Sequence, residues 1–276
     1  MGDAYEKSLR AQTQTTITLF SREWISYYCV ACSSPASRIL GGETTSIAQY
    51  PSIVQVEYLG SGSGIWSQTC GGHILNSRYV LTFKNVFIFS FYEPKNRRIR
   101  AGSSIRTYGG QVAYVDREIN HPTYGANGMD GDISIVRLLD PLVFGPLVQQ
   151  GVIVTQDFQL PESLPVDIVG WGATELGGLP SNELREATVF IVNRDICAQR
   201  YGSLSIPSPV TKNMICAGLL DIGGKDFCPG DYGGPVYYGQ ILVGIQSWGQ
   251  GCGDKTLPGV STAVSSYTSW IIANAV

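Results

Sequence analysis

Short apolar runs with a period of two residues are the feature that most constrains how this chain can fold. Five of these runs are bounded by clusters of Gly, Pro, Asn or Ser: SIVQVEY, QVAYVDREI, DISIVRL, VDIVGWG and REATVFIV. Apolar residues that alternate with polar ones are typical of half-buried β-strands. The chain has 276 residues, of which 43% are hydrophobic, enough for a full-sized core. The pattern therefore predicts an all-β fold.

Two segments predict short helices instead. NRDICAQR offers Asn193 as an N-cap for a turn that ends at Arg200. The tail SSYTSWIIANAV offers Ser265 or Ser266 as the cap of a closing amphipathic helix. We found no internal repeat and no low-complexity tract.

The overall charge argues against two classes of partner. A formal net charge of -3 provides no positive field to attract nucleic acid or an anionic membrane. No stretch approaches the roughly 20 apolar residues that a membrane span needs. We therefore expect neither a nucleic-acid partner nor a membrane partner. We also expect a monomer.

The cysteines favour disulfide bonds over a metal site. Four of the seven, Cys197, Cys216, Cys228 and Cys252, lie in a Gly-rich C-terminal half. The single close pair, Cys29 and Cys32, has only two histidines in the chain to complete a zinc site. We therefore expect no metal, no cofactor and an oxidising, secreted setting.

The N-terminal segment does not itself predict export. Its most apolar part is interrupted by Arg22 and Glu23, so it lacks the continuous apolar region of a signal peptide. The composition changes near SSPAS, which separates an irregular segment 1–38 from the remainder.

From Arg38 onward the chain resembles the trypsin-like serine proteases, and among these the digestive trypsins of insects. Nine motifs occur in the family's order: RILGGE, QYPSIV, CGGHILNSRYVLT, DGDISIVRL, VGWGAT, NMICAG, GGKDFCPGDYGGP, SWGQGCG and PGV. The resemblance implies two six-stranded antiparallel β-barrels with a C-terminal α-helix. It also implies a pro-segment at 1–38 and a protease domain at 39–276.

The resemblance also identifies three catalytic positions, two of which carry unexpected residues. Asp132 matches the aspartate of the family's Ser-His-Asp triad. Asn85 falls at the histidine position, and a carboxamide cannot act as a general base near neutral pH. Tyr232 falls at the serine position. Its phenol oxygen would lie beyond the place of a serine oxygen, and its ordinary pKa is near 10.

The specificity pocket of a trypsin is implied by three further matches. Asp226 matches the carboxylate at the base of the pocket, and Gly249 and Gly259 match the glycines that keep its walls open. Such a pocket accepts Arg or Lys, because a buried carboxylate favours a cation. Gly230 matches the backbone donor of the oxyanion hole. The alternative stays open that Phe227, where the family has a small polar residue, or Tyr232 itself closes the pocket.

Activation and disulfide positions are implied in the same way. Cleavage after Arg38 would free an Ile39 ammonium that inserts beside Asp231. The implied bridges join Cys197 to Cys216 and Cys228 to Cys252. A third bridge is broken, because Cys70 would pair with a position that holds Val86. Cys70 is therefore expected to be a buried free thiol, unless it pairs with Cys29 or Cys32.

Three functions follow as hypotheses. The first is a non-catalytic serine protease homologue, a pseudoprotease whose retained Arg/Lys pocket binds peptides or protease inhibitors in the gut lumen. The alternative is an active serine-type endopeptidase that cleaves after Arg or Lys. A decaying duplicate is the third, which an unpaired ammonium of Lys84 at a buried position would suit.

Overall fold

The computed structural model describes residues 40–84 and 93–276, which form mainly antiparallel β-structure. The strands of these residues are β1 Glu43–Thr44, β2 Ile53–Leu59, β3 Trp66–Asn76, β4 Tyr79–Thr82, β5 Arg97–Ala101, β6 Gln111–Asn120, β7 Ser134–Leu138, β8 Val152–Ile153, β9 Pro165–Gly170, β10 Arg185–Val192, β11 Met214–Gly218, β12 Pro235–Tyr238, β13 Ile241–Trp248 and β14 Gly259–Ala263.

The first six-stranded barrel closes in the order β2-β3-β4-β7-β6-β5, and all its pairs are antiparallel. Strand β6 shows how the sequence builds it. Ala113 and Val115 are buried, whereas the alternate residues Val112 and Tyr114 are exposed, which is the period of two that the sequence predicts.

The second barrel contains β9, β12, β13, β14, β11 and β10, and antiparallel pairing of β10 with β9 closes it. Strand β1 extends the sheet beside β10, and β8 pairs in parallel with β13. Trp171, which follows β9 and is 1% exposed, lies in the same hydrophobic core as residues of both barrels. The predicted fold class, two six-stranded antiparallel barrels with a C-terminal helix, is confirmed.

Both predicted helices are present. Helix α1 spans Arg194–Gly202, and the side chain of Asn193 accepts from the backbone N–H groups of Asp195 and Ile196, so the predicted N-cap is confirmed. Helix α2 spans Thr268–Asn274.

The predicted cap of the closing helix is wrong. Ser265 and Ser266 belong to a separate 3-10 turn at Val264–Ser266, so α2 begins after Tyr267 without a side-chain cap. A second 3-10 turn occupies Pro94–Asn96.

The loop before β12 is where the two barrels meet. The N–H of Gly71 on β3 donates to the carbonyl of Tyr232 at 2.9 Å. Behind this loop, the Tyr237 hydroxyl on β12 lies 3.0 Å from both the Ser52 hydroxyl and Nδ1 of His73. The ends of β3 and β4 are thereby fixed beside the loop that carries Gly230 to Tyr232.

Within 40–84 and 93–276 no helix has the length and apolar character needed to cross a membrane. The predicted boundary between segments 1–38 and 39–276 lies outside those ranges and stays a prediction.

Candidate active site

Asp132 is a fully buried carboxylate at the interface of the two barrels. It lies two residues before β7 and accepts hydrogen bonds from the backbone N–H of Lys84 at 2.8 Å and the hydroxyl of Ser247 at 2.5 Å. The backbone carbonyl of Asp132 accepts a hydrogen bond from the Thr262 hydroxyl at 2.8 Å. Ser247 of β13 therefore holds the Asp132 carboxylate, and Thr262 of β14 holds the Asp132 backbone.

Lys84 is placed differently from the expectation that it would be an unpaired, buried ammonium. Its side chain is only half-buried, and Nζ lies 4.0 Å from the centre of the Tyr124 ring. This cation–π contact satisfies the ammonium, so Lys84 does not indicate a decaying fold.

Tyr232 lies in an aromatic row that crosses the centre of the site. Its ring centre is 6.1 Å from that of Phe83, which follows β4, and 5.9 Å from that of Phe227. Burial raises the pKa of the phenol above its usual value, so the hydroxyl is neutral at neutral pH. Phe83 contacts Tyr232 while the next residue, Lys84, bonds to Asp132.

Gly230 adopts a backbone conformation that favours glycine, with φ of +105°. A methyl group here would lie 2.9 Å from Cα of Gly172. The Gly230 carbonyl accepts from Nε2 of Gln68 at 2.7 Å, and the same nitrogen donates to the carbonyl of Cys70. Gln68 therefore holds the orientation of the Gly230 peptide.

The carboxylate of Asp231 lies against Gly170 and Gly172, at the end of β9. It is 1% exposed and accepts from the N–H groups of Gly172 at 2.6 Å and Cys228 at 3.0 Å. Burial raises its pKa to about 7, although these two hydrogen bonds act in the opposite direction.

Asp226 is the second buried carboxylate of this region, at 5% exposure. It accepts from the N–H groups of Phe227 and Gly253, each at 2.9 Å. Burial raises its pKa to about 7. A methyl group built on Gly259 would lie 2.5 Å from Oδ1 of Asp226, so only glycine fits at this wall.

The structure brings Asp226, Gly249 and Gly259 together. A methyl group on Gly249 would meet its nearest atom, Cα of Gly259, at 3.8 Å. Leu40, the first described residue, forms an isolated backbone bridge with Asp226. The start of the described chain therefore lies beside the base of this region.

Several predicted positions fall outside the described residues. Asn85 and Val86 are among them, and so are Arg38 and Ile39 of the activation site. Cys29 and Cys32 are outside as well. Their roles stay predictions.

Two disulfide bonds join the pairs that the resemblance implies, Cys197 with Cys216 and Cys228 with Cys252. The second bridge joins the Asp226 segment to the Gly249 segment. Cys70 is buried and has no disulfide partner among the described residues. Burial raises the pKa of its thiol to about 12, so the thiol is unreactive at neutral pH.

The two histidines belong to other networks. His73 is 1% exposed, bonds to Tyr237, and has its pKa lowered to about 3 by burial. His121 bonds to the hydroxyl of Thr123 and packs edge-on against Tyr267 and Trp270.

Sequence reasoning missed two residues that organise the site. Ser247 lies in the SWGQGCG motif, which was the available sequence signal for it. Gln68 precedes Cys70 by two residues. Nothing in the sequence indicated that Gln68 reaches Gly230. Among the described residues no group of His, Cys, Asp and Glu side chains could hold a metal ion.

Comparisons with known proteins identify the family. The family model described as trypsin matches residues 39–271. Trypsin alkaline C of Manduca sexta is 39% identical, with 90% of this chain and 95% of that protein covered. Trypsin alkaline A of the same species is 40% identical (86% and 91% covered), and trypsin CFT-1 of Choristoneura fumiferana is 39% identical (86% and 91% covered).

These relatives overturn the interpretation as a non-catalytic pseudoprotease. They are named as trypsins at 38–40% identity, which supports the alternative, an active serine-type endopeptidase. The rejected interpretation rested on Asn85 at the histidine position, outside the described residues, and on Tyr232 at the serine position. The described residues include a buried Asp132 and a buried Asp226, the two carboxylates at positions that the resemblance implies.

The match over residues 39–271, the relatives near 40% identity and the two barrels agree with one another. This chain belongs to the trypsin family of serine proteases.

Proposed function

We propose that the protein is a serine-type endopeptidase that cleaves peptide chains after Arg or Lys. The observation that carries this proposal is the buried carboxylate of Asp226, which lies against Gly259 with backbone N–H groups as its described hydrogen-bond donors. A basic side chain of a substrate would supply the positive charge that this carboxylate lacks.

The other residues of the site would have complementary roles. The backbone N–H of Gly230 would stabilise the developing oxyanion of the scissile carbonyl, and Gln68 would hold the following peptide unit in place through the Gly230 carbonyl. Asp132 would occupy the aspartate position of the triad that the resemblance implies. Tyr232 would lie beside the scissile bond.

Turnover is expected to be slow. Tyr232 presents a phenol where the resemblance implies a serine hydroxyl, and burial keeps that phenol protonated. Asn85 would contribute no base at its position. The assay must therefore resolve low rates, and trace contamination by another trypsin must be excluded.

Activation by cleavage after Arg38 is part of the proposal. The new Ile39 ammonium would pair with Asp231, a buried carboxylate whose described hydrogen-bond donors are backbone N–H groups. We further infer an extracellular location, with the gut lumen as the setting that the resemblance implies. The two disulfide bonds, typical of oxidising compartments, support it. Peptides and protease inhibitors are the expected partners.

The test is hydrolysis of fluorogenic peptides with Arg, Lys or Leu before the cleaved bond, using protein cut after Arg38. Hydrolysis of the Arg and Lys peptides alone is expected. The rate should rise with pH through about 7, because the basic side chain binds the ionised form of Asp226.

The matched control is D226N, prepared by the same procedure. It should lose the Arg and Lys activity, whereas contaminating trypsin would leave equal rates in both preparations. Equal rates, or no hydrolysis by the wild-type protein, would refute the proposed activity.

A further inference from the structure

The ring of Phe227 lies beside Gly259, close to the carboxylate of Asp226. Phe227 directly follows Asp226 and is 4% exposed. A methyl group built on Gly259 would lie 2.6 Å from Cε1 and 3.1 Å from Cζ of this ring. The far edge of the ring therefore touches the glycine wall at the start of β14.

The ring of Phe227 also packs against the ring of Tyr232. The two rings are close to perpendicular, at 79°, with centres 5.9 Å apart. Edge-to-face packing of this kind stabilises aromatic pairs beyond their buried area. Since Tyr232 also contacts Phe83, the three rings form a continuous aromatic row from the end of β4 to Gly259.

The row leaves Asp226 enclosed. The carboxylate is 5% exposed, its described hydrogen-bond partners are two backbone N–H groups, and no described ion pair includes it. A buried carboxylate that forms no ion pair favours a positively charged ligand over a neutral one. The Phe227 ring and Oδ1 of Asp226 both lie beside the place that a methyl group on Gly259 would take.

We propose that Phe227 plugs the specificity pocket and selects which cation enters it, so that planar amidinium and guanidinium groups are accepted in preference to ammonium groups. A planar, weakly hydrated cation can stack on the displaced ring, whereas an ammonium is a compact and strongly hydrated charge. This inference rests on the proposed function and deepens it: the favoured substrates carry Arg rather than Lys before the cleaved bond.

Calorimetry with two matched ligands tests the proposal on the full, uncut chain. Benzamidine and benzylamine share a phenyl ring and differ in carrying an amidinium or an ammonium group. In F227S the plug is absent, so benzamidine should bind about tenfold more tightly than to the wild-type protein, a change of about 1.4 kcal/mol. The ratio of benzamidine to benzylamine affinity should fall in F227S.

Three further variants make the result specific. D226N in the F227S background should abolish binding of both ligands, which identifies the site. F158S removes a phenylalanine that is 43% exposed elsewhere on the surface and should leave both affinities unchanged. F227L keeps apolar volume without an aromatic face, and it should lower the affinity ratio even if F227S fails to fold.

Two outcomes would overturn the proposal. Equal benzamidine affinity in the wild-type protein and F227S would show that the ring is no plug. An unchanged ratio in both F227S and F227L would show that the ring does not select the cation. Binding requires no turnover, so benzamidine binding without peptide hydrolysis would refute the proposed endopeptidase and leave the plug intact.

Discussion

Gly151 lies against the ring of His73, and a side chain at this position would collide with it. A methyl group here would lie 2.0 Å from Cε1 and 2.1 Å from Nε2 of the imidazole. The ring cannot easily move, because it is 1% exposed and bonded to the Tyr237 hydroxyl. The close approach explains why a glycine occupies this position.

We therefore expect G151A to lower the free energy of unfolding by about 1–3 kcal/mol through overpacking. The matched control is G145A, since a methyl group at Gly145 would meet nothing within 4 Å. Urea unfolding of both variants measures the difference. Equal stability of G151A and G145A would show that the imidazole has room to move.

At the scale of elements, helix α1 depends on a covalent connection to β11. The Cys197–Cys216 bond joins them across 19 residues of sequence, and both cysteines are fully buried. A disulfide stabilises a fold mainly by restricting the unfolded chain.

Replacing both cysteines with alanine is expected to lower the free energy of unfolding by about 2–5 kcal/mol. The C197A/C216A protein should also show faster amide hydrogen exchange in α1 and β11 than in β3. Uniform acceleration over all strands would instead indicate that the bond stabilises the molecule as a whole.

The same scale separates what the sequence could predict from what it could not. Strand β6 and the Asn193 cap follow from local patterns, alternation and a side-chain acceptor, so both were predictable. The cap of α2 was not predictable. Ser266 belongs to a 3-10 turn, and the motif does not show that this turn forms in place of a helix start.

The candidate site shows the same division. Asp226 and Asp132 were identified from motifs. The contact of Gln68 with Gly230 spans 162 residues, and the contact of the Phe227 ring with Gly259 depends on the packing of three aromatic residues. Such contacts are set by tertiary structure, so residue types and spacing alone could not reveal them.

At the scale of the whole molecule, the buried carboxylate of Asp231 makes stability depend on pH. Its pKa is raised to about 7, whereas a carboxyl in an unfolded chain titrates near 4. Between these values the folded protein holds a proton that the unfolded chain has released. The free energy of unfolding should therefore fall as the pH rises through this window.

D231N should weaken that dependence, since an amide does not titrate. Asp226, whose pKa is also raised to about 7, would supply the slope that remains. Urea unfolding at pH 4, 5, 6 and 7 would measure the effect, with D140N as the exposed control. A slope in D231N as steep as in the wild-type protein would contradict the assignment.

Cleavage after Arg38 should weaken this pH dependence of stability. An Ile39 ammonium beside Asp231 would favour the ionised carboxylate and lower its pKa, so the cut protein should lose less stability than the uncut protein between pH 4 and 7. The pair would require a protonated ammonium, whose ordinary pKa is about 8, and its contribution should decline above that pH. Parallel pH series on cut and uncut protein test this coupling, and identical slopes would show that the new terminus does not reach Asp231.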